Sequence, residues 1–266
     1  MKEFLNGTHL VYDDIGSGPA VILLHGFPLC RQMWRPQVEA LATAGYRVIT
    51  PDLRGFGESE APDGPHTMSI FADDVACLLV HLGIERVVVG GMSMGGYVLL
   101  NLVERYPHRV TAAMFLVTRA AADDEPARMR RSSLAAEVAA GRPQTVTDAF
   151  EGILFAGSTP AVRPELVAEV KTWMTATAPR GLVGGLLAMR DRKDYIDLLP
   201  SFDLPALVIG AEADRAVPPE HSRMLAEGLP NGRLCMIAEA GHMANLERPE
   251  AFNVCLLDFL RGLRSK

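Results

Sequence analysis

The chain has 266 residues, 48% hydrophobic and 22% charged, the balance of a globular protein able to bury a sizeable core. Its formal net charge of −6, with no basic run beyond the small cluster Arg128, Arg130 and Arg131, argues against a nucleic-acid or anionic-membrane partner, and that cluster reads as a solvated face. No apolar stretch reaches membrane-spanning length, and Met1–Gly7 lacks the apolar centre of a signal peptide, so a cytoplasmic protein is expected.

Taken in order, His9-Leu10-Val11-Tyr12 reads as a strand closed by the turn-rich Gly16-Ser17-Gly18-Pro19. Ala20 to Leu24 is continuously apolar, the mark of a strand buried on both faces, and runs into His25-Gly26-Phe27-Pro28. Trp34, Val38 and Leu41 recur at helical spacing until Gly45. Arg47 to Thr50 is a further strand, followed by the Gly-rich loop from Pro51 to Ser59. Ser69 is placed to cap the next helix, whose Phe71, Val75, Leu78, Leu79 and Leu82 share one face.

The strand Val87 to Val89 then meets Gly90-Gly91-Met92-Ser93-Met94-Gly95-Gly96, ahead of a helix running to Tyr106. Gly91, Ser93 and Gly95 fill the G-x-S-x-G pattern of a nucleophile elbow. A tight strand-to-helix turn pushes the serine hydroxyl out of the sheet. The positions two before and two after it crowd the neighbouring backbone, where a Cβ would clash. The serine also lands at a helix N-terminus, which favours negative charge.

Val110 to Val117 is the next strand, and the alternation of strands and helices implies an α/β fold with a mostly parallel sheet. The rhythm breaks between Arg119 and Ser201, where helical patterns dominate and prolines punctuate them. This divides the chain into an α/β core, residues 1–118 and 202–266, and an all-helical insertion, 119–201, expected to lie over the sheet. The rhythm returns with the strand Ala206 to Ile209, a helix from about Pro219 to Leu229, the strand Arg233 to Ile237 and a last amphipathic helix.

A serine hydroxyl needs a base, and the base needs an orienting group. Two downstream loops at strand ends offer them: Gly210-Ala211-Glu212-Ala213-Asp214 and Ala240-Gly241-His242-Met243. Ser93, Asp214 and His242 follow the chain order expected for such an elbow. Four scattered cysteines without C-x-x-C spacing imply neither a metal site nor a redox motif nor disulfides, and free thiols suit a reducing cytosol.

With these motifs in place, the chain resembles the α/β-hydrolase superfamily across nearly its full length. The likeness rests on the elbow, His25-Gly26-Phe27-Pro28, the Pro51-to-Ser59 loop, Gly210-x-x-x-Asp214 with Pro218-Pro219 behind it, and Gly241-His242 followed by Asn245-x-Glu247-x-Pro249. Within the superfamily it looks like the branch of small esterases, lactonases and cofactor-free perhydrolases. The resemblance implies an eight-stranded, mostly parallel sheet with a helical cap after the sixth strand. It makes Ser93 the nucleophile, His242 the general base and acid, and Asp214 the group that holds the imidazole. Backbone N–H groups of Phe27 and Met94 would hold the oxyanion.

Glu212 is an alternative acid, and in some relatives the acid follows the preceding strand, which makes Asp123 or Asp124 rivals. Asp52 and His25 read as structural, the first holding the Gly-rich loop. Candidates to line the pocket from the insertion include Met129, Trp173 and Met189, with Leu154, Phe155, Met174 and Leu186. The alternative is that most of them pack the insertion onto the sheet. Arg119 could meet a substrate carboxylate, as an enol-lactone would present, or lie on the surface.

The expected activity is carboxylic-ester or lactone hydrolysis without cofactor or metal, by a monomer or homo-oligomer acting on a small molecule. Carbon–carbon bond hydrolysis and perhydrolysis use the same triad. A non-enzymatic small-molecule receptor is the alternative from a different class.

Overall fold

A computed structural model describes residues 1–264. Among them, eight strands form one sheet: β1 (Lys2–Leu5), β2 (Thr8–Ile15), β3 (Ala20–Leu24), β4 (Arg47–Pro51), β5 (Val87–Met92), β6 (Val110–Leu116), β7 (Ala206–Ala211) and β8 (Gly232–Ile237). The helices of the sheet layers are α1 (Arg35–Thr43), α2 (Met68–His81), α3 (Met94–Arg105), α9 (Pro219–Gly228), α10 (Ala244–Glu247) and α11 (Pro249–Arg264), numbered with the five below. Between β6 and β7 run α4 (Glu125–Ala139), α5 (Gln144–Glu151), α6 (Thr159–Val162), α7 (Pro164–Ala176) and α8 (Pro179–Arg190). The fold expected from the sequence, an eight-stranded mostly parallel sheet interrupted by helices after the sixth strand, is the fold observed.

The sheet order is β1-β2-β4-β3-β5-β6-β7-β8, with the β1–β2 and β2–β4 pairs antiparallel and every other pair parallel. Residues along the central strands alternate between two cores, as a pleat buried on both faces requires. On β3, Ile22 and Leu24 join one core while Val21 and Leu23 join the other. The first core holds α2, α3 and α8 against the sheet; the second is closed by Trp34, Met33 and the Phe252-Leu256-Phe259-Leu260 face of α11.

The order matters for function. From β3 the chain goes to β4 on one side, then returns to β5 on the other, so the two connections part above the β3/β5 pair. Ligands of open α/β sheets bind in the crevice that opens at such a switch point, outside the strands' carboxyl ends. Leu24 pairs with Gly91 here, which sets the end of β3 beside the turn that carries Ser93.

Three local features differ from the sequence reading. Strand β1 is additional: it pairs with β2 through Asn6-Gly7, both at positive φ (47° and 76°). Asn-Gly is the strongest short-range hairpin signal, and it was there to be read. The α2 cap is Thr67, not Ser69. Thr67 is extended and its Oγ1 accepts the Ile70 N–H at 3.1 Å, whereas Ser69 already lies inside the helix. Finally, Cys235 on β8 and Cys255 on α11 are joined as a disulfide, contrary to the expectation of free thiols; the edge strand and the helix packed on it bring their Cα atoms to 6.5 Å. Cys30 and Cys77 are free. No helix among the described residues is long and apolar enough to cross a membrane.

Candidate active site

Ser93 sits at the sharp turn between β5 and α3 with φ 51° and ψ −114°. A non-glycine residue there stores backbone strain of about 1–3 kcal/mol, which the surrounding structure must hold in place. It does so by crowding. A Cβ on Gly91 would run into the Gly95 carbonyl, and one on Gly95 into the carbonyls of Leu24 and His25, so both positions accept only glycine. The Ser93 N–H donates to Leu116 O (3.0 Å), and Thr118 Oγ1 donates to Ser93 O (2.8 Å). The neighbouring strand β6 and the residues just beyond it therefore fix the elbow from the side.

The loop after β3 lies on the other side. Its His25 is fully buried and uses both ring nitrogens: Nε2 accepts the Leu53 N–H at 3.0 Å, and Nδ1–H donates to Gly26 O at 2.9 Å. That bonding pattern is the neutral tautomer, and burial pushes the imidazole pKa below its ordinary value. The residue is structural, as its motif suggests. Asp52 is structural as well. Its carboxylate accepts the Arg31 N–H (2.7 Å) and the Glu58 N–H (2.9 Å) and pairs with the Arg31 guanidinium, tying the Gly-rich loop to the loop after β3.

Beyond β7 and β8, two loops are laced together by Glu212 N–H to Ile237 O (3.0 Å) and Ala213 N–H to Ala240 O (2.9 Å). The lacing presents Asp214 to His242. Asp214 Oδ2 lies 2.8 Å from His242 Nδ1, while Oδ1 accepts the N–H groups of Ala216 (2.8 Å) and Val217 (2.9 Å). Both side chains are buried. A carboxylate fed by two backbone donors is an acceptor, so the proton between the pair is assigned to Nδ1, which leaves Nε2 as the lone-pair nitrogen.

The rival acids are elsewhere. Glu212 is exposed, Asp124 Oδ1 caps α4 through the Ala127 N–H (2.9 Å), and Asp123 pairs with three arginines.

Ser93 and His242 line one cavity of about 300 Å³. Its floor is the sheet edge, with Phe27, Tyr97 and the Ala216-Val217 turn; its roof is α4, α5 and α8, through Leu134, Phe150 and Met189. The roof is stitched to the His242 loop. Met243 N–H donates to Leu154 O (2.9 Å), and the buried Glu247 carboxylate accepts from Gly241 N–H (2.9 Å), Ala156 N–H (2.9 Å) and Thr159 Oγ1 (2.5 Å).

Of the roof residues named from sequence, Met189 and Arg119 line this cavity. Met129 and Trp173 do not. Met129 is 64% exposed on the outer side of α4, and Trp173 lies half-buried against the second core with the Arg35 guanidinium 5.8 Å from its ring. Leu154, Phe155, Met174 and Leu186 are packed into the two cores.

The sequence reading did not place Arg130 and Arg131 at the cavity, which both line; Arg130 is exposed there and Arg131 half-buried. The signal was available: Ala127, Arg130, Arg131 and Leu134 recur at i, i+3, i+4, i+7, one stripe of α4, whereas Arg128 and Met129 fall on the other side.

The chain's relatives agree with this architecture. Residues 19–249 match the family model described as the alpha/beta hydrolase fold. A solved thermophilic esterase from Thermogutta terrifontis, in a malate-bound form, superposes with a TM-score of 0.93 at 36% identity, covering 96% of this chain and 94% of its own. The enol-lactonase from Burkholderia xenovorans LB400 gives 0.92 at 29% identity, over 98% of this chain and all of its own. A Mycobacterium tuberculosis protein with the provisional name non-heme bromoperoxidase BpoC is 33% identical over 97% of this chain and 99% of its own length. On these grounds the chain belongs to the alpha/beta hydrolase family.

Proposed function

We propose that this protein hydrolyses a small carboxylic ester or lactone through an acyl-enzyme formed on Ser93. The observation that carries the proposal is the 2.8 Å contact between His242 Nδ1 and buried Asp214, with His242 and Ser93 on the wall of one cavity. His242 Nε2 takes the Ser93 proton as Oγ attacks the acyl carbon, and the oxygen that gains charge is held by the N–H groups of Phe27 and Met94. The ester C–O bond then breaks, and His242 returns the proton to the leaving alcohol. Water, deprotonated by the same nitrogen, cleaves the acyl-enzyme and restores Ser93. Asp214 keeps the imidazole in the required tautomer and stabilises the imidazolium. In this reading residues 119–201 form the roof that shuts water from the reacting centre.

The esterase and enol-lactonase likenesses support hydrolysis. The bromoperoxidase-named relative favours a second use of the same acyl-enzyme, with hydrogen peroxide replacing water and a peracid leaving.

The test is labelling with an organophosphonate, together with p-nitrophenyl ester turnover by wild type and Ser93→Ala. Stoichiometric labelling of Ser93 and a loss of about 10⁴-fold or more in kcat for the variant are expected. Full turnover by Ser93→Ala rejects the proposal. Labelling without multiple turnover on a broad ester panel points instead to a receptor.

A further inference from the structure

Asp123 follows β6 on the roof side of the cavity, and its carboxylate is fully enclosed. Three guanidinia converge on it: Arg119 and Arg192 on Oδ1, Arg131 on Oδ2. Burial pushes the Asp123 carboxyl up, but Arg131 and Arg192 more than offset it, and it sits below the usual carboxylate range. One anion thus serves three cations, and two positive charges in the cluster lack an internal counter-charge. Among the described residues, Arg130 and Asp124 also stand on the cavity wall and carry opposite charges.

The three arginines are not equivalent. Arg192 is buried behind the wall, stacked 4.2 Å from the Tyr97 ring centre, with its fork spent on Met189 O (2.7 Å) and Ala121 O (2.9 Å) as well as Asp123. Arg119 and Arg131 line the cavity itself. Asp123 takes one nitrogen from each. Of their other nitrogens, Arg131 Nη1 meets a weak acceptor, Met189 Sδ at 3.4 Å, and Arg119 Nε is shut off from solvent with no partner among the described residues. Arg119 also directly follows Thr118, whose hydroxyl holds the Ser93 carbonyl, and it lines the same cavity as Ser93.

We propose that Arg119 and Arg131 form an anion subsite, and that the substrate's acyl part carries a carboxylate. Partly buried guanidinia bind carboxylates by charge-assisted, often bidentate hydrogen bonds that are stronger than in water. A cavity of about 300 Å³ limits the acyl part to a short chain, of the length of a monoester of a five-carbon dicarboxylic acid or a lactone bearing one carboxylate. The inference rests on the hydrolase reading for its substrate class, and on the arginine cluster alone for its anion.

The experiment compares p-nitrophenyl hydrogen glutarate with its methyl-capped neutral counterpart. At low salt, wild type should favour the free carboxylate by about tenfold or more in kcat/KM. That ratio should fall about tenfold in Arg119→Met and in Arg131→Met, be partly restored in Arg119→Lys, and stay put in Arg35→Met, whose arginine pairs with Glu169 and does not line the cavity. A wild-type ratio of one or below, or a ratio unmoved in both methionine variants, overturns the subsite while leaving the hydrolase reading intact. If neither ester turns over and Ser93 resists labelling, the hydrolase reading fails, and binding decides the subsite. Glutarate, but not glutaramide, should then raise the Tm of the wild-type protein, and the rise should be lost in Arg119→Met. Equal effects of glutarate and glutaramide overturn it, and this wild-type comparison also decides the matter if the variants do not fold.

Discussion

The floor and the roof of the cavity are built on different principles. The floor is backbone: strained Ser93, glycines pressed against carbonyls, and carboxylates such as Asp52 and Asp214 accepting main-chain N–H groups. Each such part has one permitted geometry, so a Cβ or a lost donor has nowhere to go. The roof is helix faces carrying side chains. Its inner stripe on α4 mixes Ala127, Arg130, Arg131 and Leu134, and its position is fixed by the joints at Leu154, Ala156 and Thr159. On the proposed reading the difference teaches where chemistry and selectivity reside: the rigid floor orients the reacting groups, and the exchangeable roof surface decides what enters.

That contrast can be broken at the floor first. On the proposed reading, Asp214→Asn should lower kcat by about 10⁴-fold, because the amide holds His242 in the wrong tautomer, a scale known from another Ser-His-Asp triad. A pre-steady-state acylation assay checks it; a drop under tenfold would remove Asp214 from the orienting role. Next, Gly95→Ala drives a Cβ into the Leu24 and His25 carbonyls and should cost about 3 kcal/mol or more of stability, read by urea denaturation.

The joint between the two regions comes third. Glu247→Ala leaves the Gly241 and Ala156 N–H groups and the Thr159 hydroxyl without their acceptor, and about 2–3 kcal/mol should be lost. A smaller loss in Glu247→Gln, which keeps an acceptor oxygen, would sharpen the assignment.

The fourth test is pH. Burial holds His25 below its unfolded pKa of about 6.5, so the unfolded chain takes up a proton the folded one does not. Stability is therefore level above that pH and falls as pH drops below it. Between pH 7.5 and 5.5 this residue should account for about 1 kcal/mol, visible as a smaller urea-midpoint shift in His25→Asn.

The smallest effect belongs to the roof. Gly152 has φ −72° and open space where a Cβ would stand, so Gly152→Ala should be neutral or stabilising by about 0.5 kcal/mol. A large destabilisation there would erase the distinction between the two regions.

The same distinction separates what the sequence by itself determined from what the tertiary structure decided. The elbow was legible because its pattern is local: Gly91, Ser93 and Gly95 lie within five residues, and Gly91 answers crowding from the same turn, although the carbonyls that crowd Gly95 come from the end of β3. The βαβ rhythm was legible because pleat and helix periods write themselves into the burial pattern. The Asp214–His242 pairing was legible only as an order along the chain; its 2.8 Å contact needed β7 and β8 side by side.

Other features were out of reach. Nothing near Asp123 in sequence announces that Arg192, 69 positions away, will close on it, nor that Glu247 will reach Ala156. Trp173 is an apolar residue on a helix, and only the packing of α7 decided that it faces away from the cavity. Short-range sterics and periodicity are properties of the chain. The net charge of a pocket wall is a property of which distant side chains the fold brings into one low-dielectric space, and that sum exists only once the chain has closed on itself.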